Sequence, residues 1–232
     1  MKRLVLTFDD GVRSHYDRVR PLLLQHGLTG TFFIPGVRSL WLHPKTPLNM
    51  REDGLDWSEI RDLHEAGFEV ASHTWNHLPL IELTRKTIQA EINDLNEEFV
   101  KRQIPVPVSL CYPGYWCNDA VLKAVRETGI QYARTGYIRG DLLPNKRTRR
   151  PELRHFVPGV TDPLCIYSTG ILNDEYTVED FIADLEATPD DGVAVFTAHG
   201  FQQSDRWEEF QRMVKYVVDR GYQTMTMRDL PV

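Results

Sequence analysis

Residues 3–11 have the sequence RLVLTFDDG, an apolar run that ends abruptly in two adjacent carboxylates and a glycine. Successive side chains of a strand point to opposite faces, so adjacent acids at a strand end can diverge. Asp9 and Asp10 can then face two different partners. Charges at the end of a buried strand are costly unless a cationic group receives them. Taken alone, an Asp-Gly pair is also a common turn signal, which is the simpler interpretation.

The composition is that of an ordinary soluble protein. A length of 232 residues predicts one domain, spanning residues 1–232, around a single core. With 27 basic and 33 acidic residues the formal net charge is −6, which argues against general nucleic-acid binding. No apolar stretch reaches the length of about 18 residues that a membrane span needs. The oligomeric state stays open.

The start of the chain and its cysteines predict a cytoplasmic protein. A strand follows directly after Met1 and Lys2, which leaves no room for a secretory signal. Cys111, Cys117 and Cys165 are odd in number and lack metal-binding spacing, so we expect reduced thiols.

Strand-like and helix-like segments alternate along the chain, a pattern typical of a parallel sheet or barrel. After the first strand, the segments predicted as strands are 30–34, 68–73, 106–112, 130–135, 192–200 and 222–226, with a further short strand near 156–157 or 165–167. Residues 35–56, which include Trp41 and His43, are irregular and are expected to lie over the mouth of a barrel.

Three predicted strands end in groups that suit one site: Asp9 with Asp10, His73 with His77, and His199. Parallel α/β folds gather the carboxyl ends of their strands on one face. Two histidines four residues apart and one carboxylate make a three-ligand zinc site with a position left for water. Such a metal lowers the pKa of water to about 7, which provides a nucleophile near neutral pH.

Four motifs in this order resemble those of the polysaccharide deacetylases of carbohydrate esterase family 4, the NodB-homology domain. TFDDG at 7–11 and SHTWNH at 72–77 match the first two motifs, while YPGY at 112–115 and TAH at 197–199 are variants of later ones. The resemblance spans nearly the whole chain. It implies a distorted (β/α) barrel of the NodB type, with about seven parallel strands and outer helices.

The resemblance also implies a role for each matching residue. Asp10, His73 and His77 would hold one divalent metal ion, usually zinc, and Asp9 would be the general base that activates water. A backbone N–H at Gly114 or Tyr115 would bind the oxyanion of the tetrahedral intermediate.

His199 would be the general acid that protonates the leaving amine. The acid that normally tunes this histidine has no clear match, and Asp141 and Asp162 are candidates.

The chain departs from the family pattern at two positions that bear on the site. The third motif commonly begins with an arginine that pairs with the base aspartate, and Cys111 stands there. We hypothesise that Arg134, at the end of the next strand, reaches Asp9 instead. Thr197 replaces the usual leucine of the last motif, which leaves the acyl pocket open to a different substrate.

The implied function is removal of the N-acetyl group from an N-acetylated saccharide, such as a surface-polysaccharide or lipopolysaccharide precursor, with release of acetate and an amino sugar. One alternative is an amidohydrolase or deformylase of the same fold acting on a non-sugar or formylated amide. Another is a non-catalytic carbohydrate-binding relative. The basic run KRTRR at 146–150 is either a solvated loop or a binding site for a phosphate or anionic sugar.

Overall fold

A computed structural model describes residues 2–36, 54–136, 155–172, 175–201 and 204–231. Trp41, His43, Asp141 and the basic run at 146–150 lie outside these described residues, so the predictions made for them stay predictions.

Nine strands form one sheet in the described part of the chain, and each pairing between two of these strands is parallel. The strands are β1 (Arg3–Phe8), β2 (Thr31–Ile34), β3 (Glu69–Ser72), β4 (Ser109–Cys111), β5 (Tyr132–Thr135), β6 (Ile166–Tyr167), β7 (Gly170–Leu172), β8 (Ala194–Ala198) and β9 (Gln223–Met225). Along the sheet they follow the order β6-β5-β4-β3-β2-β1-β8-β7, with β9 also paired to β1.

The first strand lies at the centre of this arrangement. β8 runs along one edge of β1, and β9 and β2 share the other edge, β9 at Arg3–Val5 and β2 at Thr7–Phe8. No pairing joins β6 to β7 among the described residues, so the curled sheet forms an open barrel. The distorted (β/α) barrel predicted from the sequence is confirmed, with nine described strands instead of about seven.

Helices connect the strands, as the alternating pattern predicted. Their bounds are α1 (Arg20–Gln25), α2 (Trp57–Glu65), α3 (Arg85–Lys101), α4 (Asp119–Val125), α5 (Val178–Glu186) and α6 (Ser204–Asp219). Local signals explain where several of them begin. Asn118 accepts a hydrogen bond from the N–H of Val121 at the start of α4, and Thr177 and Asp180 form a capping box at the start of α5.

Two further observations concern the cysteines and the helices. None of the three cysteines forms a disulfide bond. Within the described ranges, no helix combines the length and apolar character that crossing a bilayer requires.

Candidate active site

The register of β1 and β8 makes Asp9 a neighbour of His199. Phe8 pairs with Ala198, and each of these residues ends its strand. The N–H of Asp9 donates a hydrogen bond to the Ala198 carbonyl oxygen at 3.0 Å. The two motifs that are most distant in the sequence therefore meet at one rim of the sheet.

Four more strands end at the same rim. His73 directly follows β3, and its N–H donates to the carbonyl of Ile34, the last residue of β2, at 3.0 Å. Cys111, at the end of β4, pairs in register with Arg134 of β5. The parallel sheet thus gathers the predicted residues as the carboxyl ends of parallel strands usually do.

Asp9 forms a buried ion pair with Arg134. The Arg134 Nη2 atom lies 2.5 Å from Oδ1 and 2.6 Å from Oδ2 of Asp9, and neither side chain is accessible to solvent by more than 1%. Burial by itself would raise the pKa of Asp9, but the Arg134 guanidinium, helped by His199 and His73, outweighs it and lowers that pKa. Asp9 is therefore a carboxylate over the ordinary pH range.

Arg134 is itself held by a chain of hydroxyl groups. Its Nη1 donates to Ser168 Oγ at 3.1 Å, Ser168 Oγ lies 2.6 Å from Thr197 Oγ1, and that atom lies 3.1 Å from Thr7 Oγ1. The guanidinium also lies over the aromatic ring of Phe33, at 5.3 Å from its centroid. These contacts fix the orientation of a buried charge that must meet Asp9.

Asp10 faces the other way, toward two histidines. Its Oδ1 atom lies 3.3 Å from His73 Nε2 and 3.4 Å from His77 Nε2, and the two Nε2 atoms are 3.1 Å apart. Oδ1 has no hydrogen-bond donor among the described residues. Burial by itself would raise the pKa of Asp10, but the imidazoles of His73 and His77 beside it, together with His199, outweigh this effect and keep that pKa well below its usual value.

This donor set fits a divalent metal. Ligand atoms at 2.0–2.1 Å from a tetrahedral zinc ion lie about 3.3 Å from one another, close to the three separations at this site. His73 Nδ1 lies 2.9 Å from the Cys111 carbonyl oxygen, which only accepts hydrogen bonds. Nδ1 therefore carries the proton, and Nε2 keeps the lone pair that a metal ligand needs.

A second group of possible ligands, formed by Asp9, His73 and Cys111, fits a metal less well. Nη2 of Arg134 lies 2.8 Å from Cys111 Sγ and within 2.6 Å of Asp9. A guanidinium cation already occupies the space between these two side chains, so a metal ion there would meet like charge.

Unusual backbone conformations concentrate at this rim. Five non-glycine residues in the described ranges have positive φ, and four of them belong to the site motifs: Asp10 (76°), Thr74 (66°), His77 (54°) and Tyr115 (65°), the fifth being Gln103. Non-glycine residues adopt this region only when the surrounding structure holds them there, and they cluster at functional sites.

Among the predicted metal ligands, base, acid and Arg134, His199 has the most accessible side chain, with 39% exposed. Its Nε2 atom lies 3.8 Å from Asp9 Oδ2, 4.0 Å from Asp10 Oδ2 and 3.2 Å from the Tyr115 hydroxyl. The imidazole therefore stands at the open side of the site, beside both carboxylates, where a substrate can reach it.

The segment that carries His199 is held by the short π-helix that follows the two acids. Nε2 of His15 lies 3.3 Å from the His199 carbonyl oxygen, Ser14 Oγ accepts from the N–H of Phe201, and Arg18 donates to the Phe201 carbonyl. His15 is fully buried, and burial lowers its pKa to about 4. A neutral His15 donates through Nε2, because the carbonyl only accepts.

The third motif forms a tight turn after β4. Gly114 and Tyr115 both have positive φ, and the N–H of Tyr115 donates to the Tyr112 carbonyl at 2.9 Å. Of the two predicted oxyanion donors, Gly114 is therefore the better candidate. The Tyr115 ring covers Arg134 at 5.4 Å from its centroid, and a Cβ atom added to Gly136 would lie only 2.4 Å from Tyr115 Cγ.

One predicted candidate, Asp162, bonds other residues, and two neighbours of the site were not predicted. Asp162 accepts hydrogen bonds from Arg126 at 2.6 Å and from the N–H of Leu164, so it is engaged in other contacts. Sequence reasoning missed Ser168 and His15. Both are isolated polar residues outside any motif, and no sequence signal distinguishes them.

A model of a protein family described as polysaccharide deacetylase matches residues 1–133. The chain belongs to this family. A curated relative, the peptidoglycan-N-acetylglucosamine deacetylase of Bacillus cereus, is 30% identical over 131 residues, which cover 56% of this chain and 54% of that protein. The matches to the curated deacetylases span from 33% to 54% of the length of those proteins.

Solved structures of family 4 carbohydrate esterases share the fold. A family 4 carbohydrate esterase from Streptomyces lividans, solved in complex with acetate, superposes with a TM-score of 0.64 at 16% identity, over 96% of this chain and 91% of that one. A family 4 pseudoenzyme from Bacillus anthracis superposes with a TM-score of 0.65 at 15% identity, over 99% of this chain and 65% of that one. Likeness at this identity establishes the deacetylase fold and leaves the activity to be argued from the site.

Proposed function

We propose that this family member is a metal-dependent hydrolase that removes the N-acetyl group from an N-acetylated saccharide and releases acetate and an amino sugar. The observation that supports this proposal is the convergence of an Asp–His–His group, a buried Asp–Arg pair and an accessible histidine at one rim of the sheet. A binding module has no need of metal ligands, a base and an acid together.

Asp10, His73 and His77 are the proposed ligands of one divalent ion, for which zinc is the best candidate because two imidazoles and a carboxylate are typical zinc donors. Such an ion would act as a Lewis acid that polarises the amide carbonyl and lowers the pKa of water. His73 can serve in this role because its Nδ1 proton is directed to the Cys111 carbonyl.

Asp9 is the proposed general base. It is ionised because of Arg134, and its Oδ2 atom faces His199, on the accessible side of the site. Asp9 would take a proton from the attacking water at this oxygen, while Arg134 holds the carboxylate in place. Positioned acid–base groups of this kind contribute about 10²–10⁴-fold to rates.

His199 is the proposed general acid, which would donate the Nε2 proton to the leaving nitrogen. The Tyr115 hydroxyl at 3.2 Å orients the ring, and His15 holds the backbone of the same residue. The N–H of Gly114 is the proposed hydrogen-bond donor to the developing oxyanion.

The proposed substrate class is an N-acetylated saccharide of a surface polysaccharide or lipopolysaccharide precursor. The name of the Bacillus cereus relative, a peptidoglycan-N-acetylglucosamine deacetylase, supports an N-acetylhexosamine unit. We further propose that residues 1–232 form one catalytic domain, since one sheet includes strands from β1 to β9.

The proposal is tested by acetate release from an N-acetylated chitooligosaccharide and from peptidoglycan fragments. The protein is first stripped with a chelator and then reloaded with zinc. We expect acetate release by the zinc-loaded protein only. Asp9→Asn should bind as much zinc as the wild type but release acetate about 10²–10⁴-fold more slowly.

Other outcomes would contradict the proposal in distinct ways. Formate release from a formylated amide, or hydrolysis of a ureide without acetate release from any sugar, would indicate an amidohydrolase or deformylase of the same fold. Sugar binding by the zinc-loaded protein with no hydrolysis would indicate a non-catalytic relative.

A further inference from the structure

Glu91 is a carboxylate on the buried face of an amphipathic helix. The other buried residues of α3 are Ile88, Ile92, Leu95 and Phe99, whereas Glu91 is only 5% exposed. A buried carboxylate is unfavourable unless hydrogen bonds satisfy it. Both oxygens of Glu91 are satisfied by one residue, since Oε2 accepts from the N–H of Asn76 at 2.7 Å and Oε1 from its side-chain Nδ2 at 2.6 Å.

Asn76 belongs to the four-residue step between the two proposed metal histidines. The preceding N–H, of Trp75, donates to the Glu91 main-chain carbonyl at 2.9 Å, so three hydrogen bonds tie this step to one residue of α3. Thr74 and His77, which flank the tied residues, have positive φ. A β-branched residue in this conformation is an outlier that external contacts must hold in place.

The opposite side of the loop is fixed by close packing. The N–H of Gly36 donates to the Thr74 carbonyl at 3.0 Å, and a Cβ atom at Gly36 would lie 2.2 Å from the Trp75 ring. The loop is therefore held between the end of β2 and α3. Among the described residues that hold the loop, only the α3 side uses a charged group, Glu91, and that group bonds the residue directly before His77.

We propose that Glu91 is a positioning residue for the metal site, which sets the place of His77 relative to His73 and Asp10 by holding Asn76. This inference rests on the proposed metal centre. Glu91 touches no proposed metal ligand and acts through the backbone of the loop. Residues that orient metal ligands in this indirect way typically change metal affinity about 10–100-fold when they are replaced.

Glu91→Met tests the proposal because it keeps the length of the side chain and removes both acceptors. We expect the metal-free variant to unfold at the wild-type temperature or above it, because methionine suits the buried face. Its zinc affinity, measured by competition with a chromophoric chelator, should be about 10–100-fold weaker. Glu98→Met is the matched control, since Glu98 lies on the same helix and pairs with Lys101 and Arg102. It should bind zinc as the wild type does.

A conservative variant separates hydrogen bonding from charge. In Glu91→Gln the amide oxygen can accept from the N–H of Asn76, and the NH₂ group can donate to the Asn76 side-chain oxygen once that amide turns over. Zinc affinity should therefore return close to that of the wild type. In Asn76→Asp two carboxylates face each other, and affinity should fall. Combining Asn76→Asp with Glu91→Gln should restore it, because the glutamine NH₂ then donates to the aspartate.

Each outcome decides the proposal. Wild-type zinc affinity in Glu91→Met, or equal losses in Glu91→Met and Glu91→Gln, would overturn it while leaving the metal centre intact. Should Glu91→Met fail to fold, the pair Asn76→Asp and Asn76→Asp/Glu91→Gln decides, since Asn76 is exposed; no recovery in the double variant would overturn the proposal. A wild-type protein that binds no zinc would overturn both this inference and the proposed metal centre.

Discussion

At the scale of single residues, Arg134 forms the ion pair with Asp9, whereas the family resemblance implied an arginine at the position of Cys111. The two residues are paired in register on adjacent strands, and the small thiol leaves room for the guanidinium to pass at 2.8 Å. The positive charge therefore reaches Asp9 from β5 and not from β4. A longer side chain at 111 would compete with Arg134 for the same space.

Arg134→Ala should impair both stability and turnover. The change leaves the Asp9 carboxylate buried without its partner, which typically lowers the free energy of unfolding by about 3–5 kcal/mol. Turnover should fall by about 10²-fold or more, because the base is no longer held as an oriented carboxylate. Zinc content should be unchanged. Urea titration, the acetate assay and metal analysis measure these three quantities.

Arg126→Ala is the matched control for this prediction. Arg126 pairs with Asp162 at 2.6 Å, but its side chain is 54% exposed, so its loss should change the free energy of unfolding by at most about 1 kcal/mol. Turnover should not change. Wild-type turnover in Arg134→Ala would show that the hypothesis of a relocated arginine is wrong.

The sequence was sufficient to suggest Arg134 but not the residues that hold it. The family pattern has an arginine at the position of Cys111, and Arg134 ends the next predicted strand, so the resemblance and the strand order together made it a candidate. Ser168 lies in a stretch without clear periodicity, and its contact with Thr197 depends on how β5 and β8 curve around the barrel interior. Contacts across a curved sheet leave no trace in local patterns.

At the scale of elements, the hydroxyl chain from Thr7 through Thr197 and Ser168 links β1 and β8 to Arg134. Thr197→Val keeps the shape of the side chain and removes the hydroxyl. We expect the free energy of unfolding to fall by about 1–3 kcal/mol, because buried hydroxyls lose a partner. Turnover should fall less than in Arg134→Ala, since Arg134 keeps Asp9.

Thr188→Val provides the comparison for Thr197→Val. Thr188 is also buried, and its hydroxyl donates to the Asp184 carbonyl at 3.1 Å, in contact with none of the proposed catalytic residues. Its loss should lower the free energy of unfolding by about 0.5–1.5 kcal/mol without changing turnover. Equal turnover in both variants would contradict a role for the hydroxyl chain in the site.

The turn after β4 gives a second prediction at this scale. In Gly136→Ala the new Cβ would lie 2.4 Å from Tyr115 Cγ, so the Tyr115 ring must leave its place over Arg134 and beside His199. We expect a loss of about 1–3 kcal/mol in the free energy of unfolding, as for other overpacked sites, and reduced turnover. Thermal melts and the acetate assay measure both.

Gly159→Ala separates backbone strain from this displacement. Gly159 has φ of +71° but open space around its Cα atom, so alanine there should destabilise by about 1–2 kcal/mol and leave turnover unchanged. If Gly136→Ala behaves in the same way, the position of the Tyr115 ring has no part in turnover.

The sequence predicted the elements that have a clear apolar run or stripe. It did not predict very short strands or backbone conformations that depend on distant contacts. The apolar runs of β1 and β8 and the buried stripe of α3 follow directly from residue type. β7 has three residues after a polar pair, and such a segment carries no periodicity. The positive φ of Thr74 could not be foreseen, because β-branched residues avoid it unless distant contacts impose it.

At the scale of the whole molecule, His15 should make stability depend on pH. Its pKa is about 4 in the folded protein and about 6.5 in an unfolded chain. Between these values the unfolded state binds more protons, so acidification favours unfolding. From pH 6.5 down to 4, His15 should lower the free energy of unfolding by up to about 1.4 kcal/mol per pH unit.

His15→Gln should flatten that dependence. Glutamine keeps a nitrogen donor for the His199 carbonyl but does not titrate. Urea titrations between pH 4 and 7, with both proteins stripped of metal, isolate the contribution of His15 as the difference between the two curves. Parallel curves would contradict a buried, neutral His15.

Because β1 is paired on both edges, different parts of the site should differ in how readily they unfold locally. Backbone hydrogen bonds to β8 on one side and to β2 and β9 on the other make this strand among the last to separate when the molecule fluctuates. Asp9 and Asp10 directly follow β1, whereas His77 and Tyr115 lie in the connections after β3 and β4. In local unfolding, we therefore expect His77 and Tyr115 to leave their positions before Asp9 and Asp10 do. Both acids would then keep their register with β8 when the loops fold back.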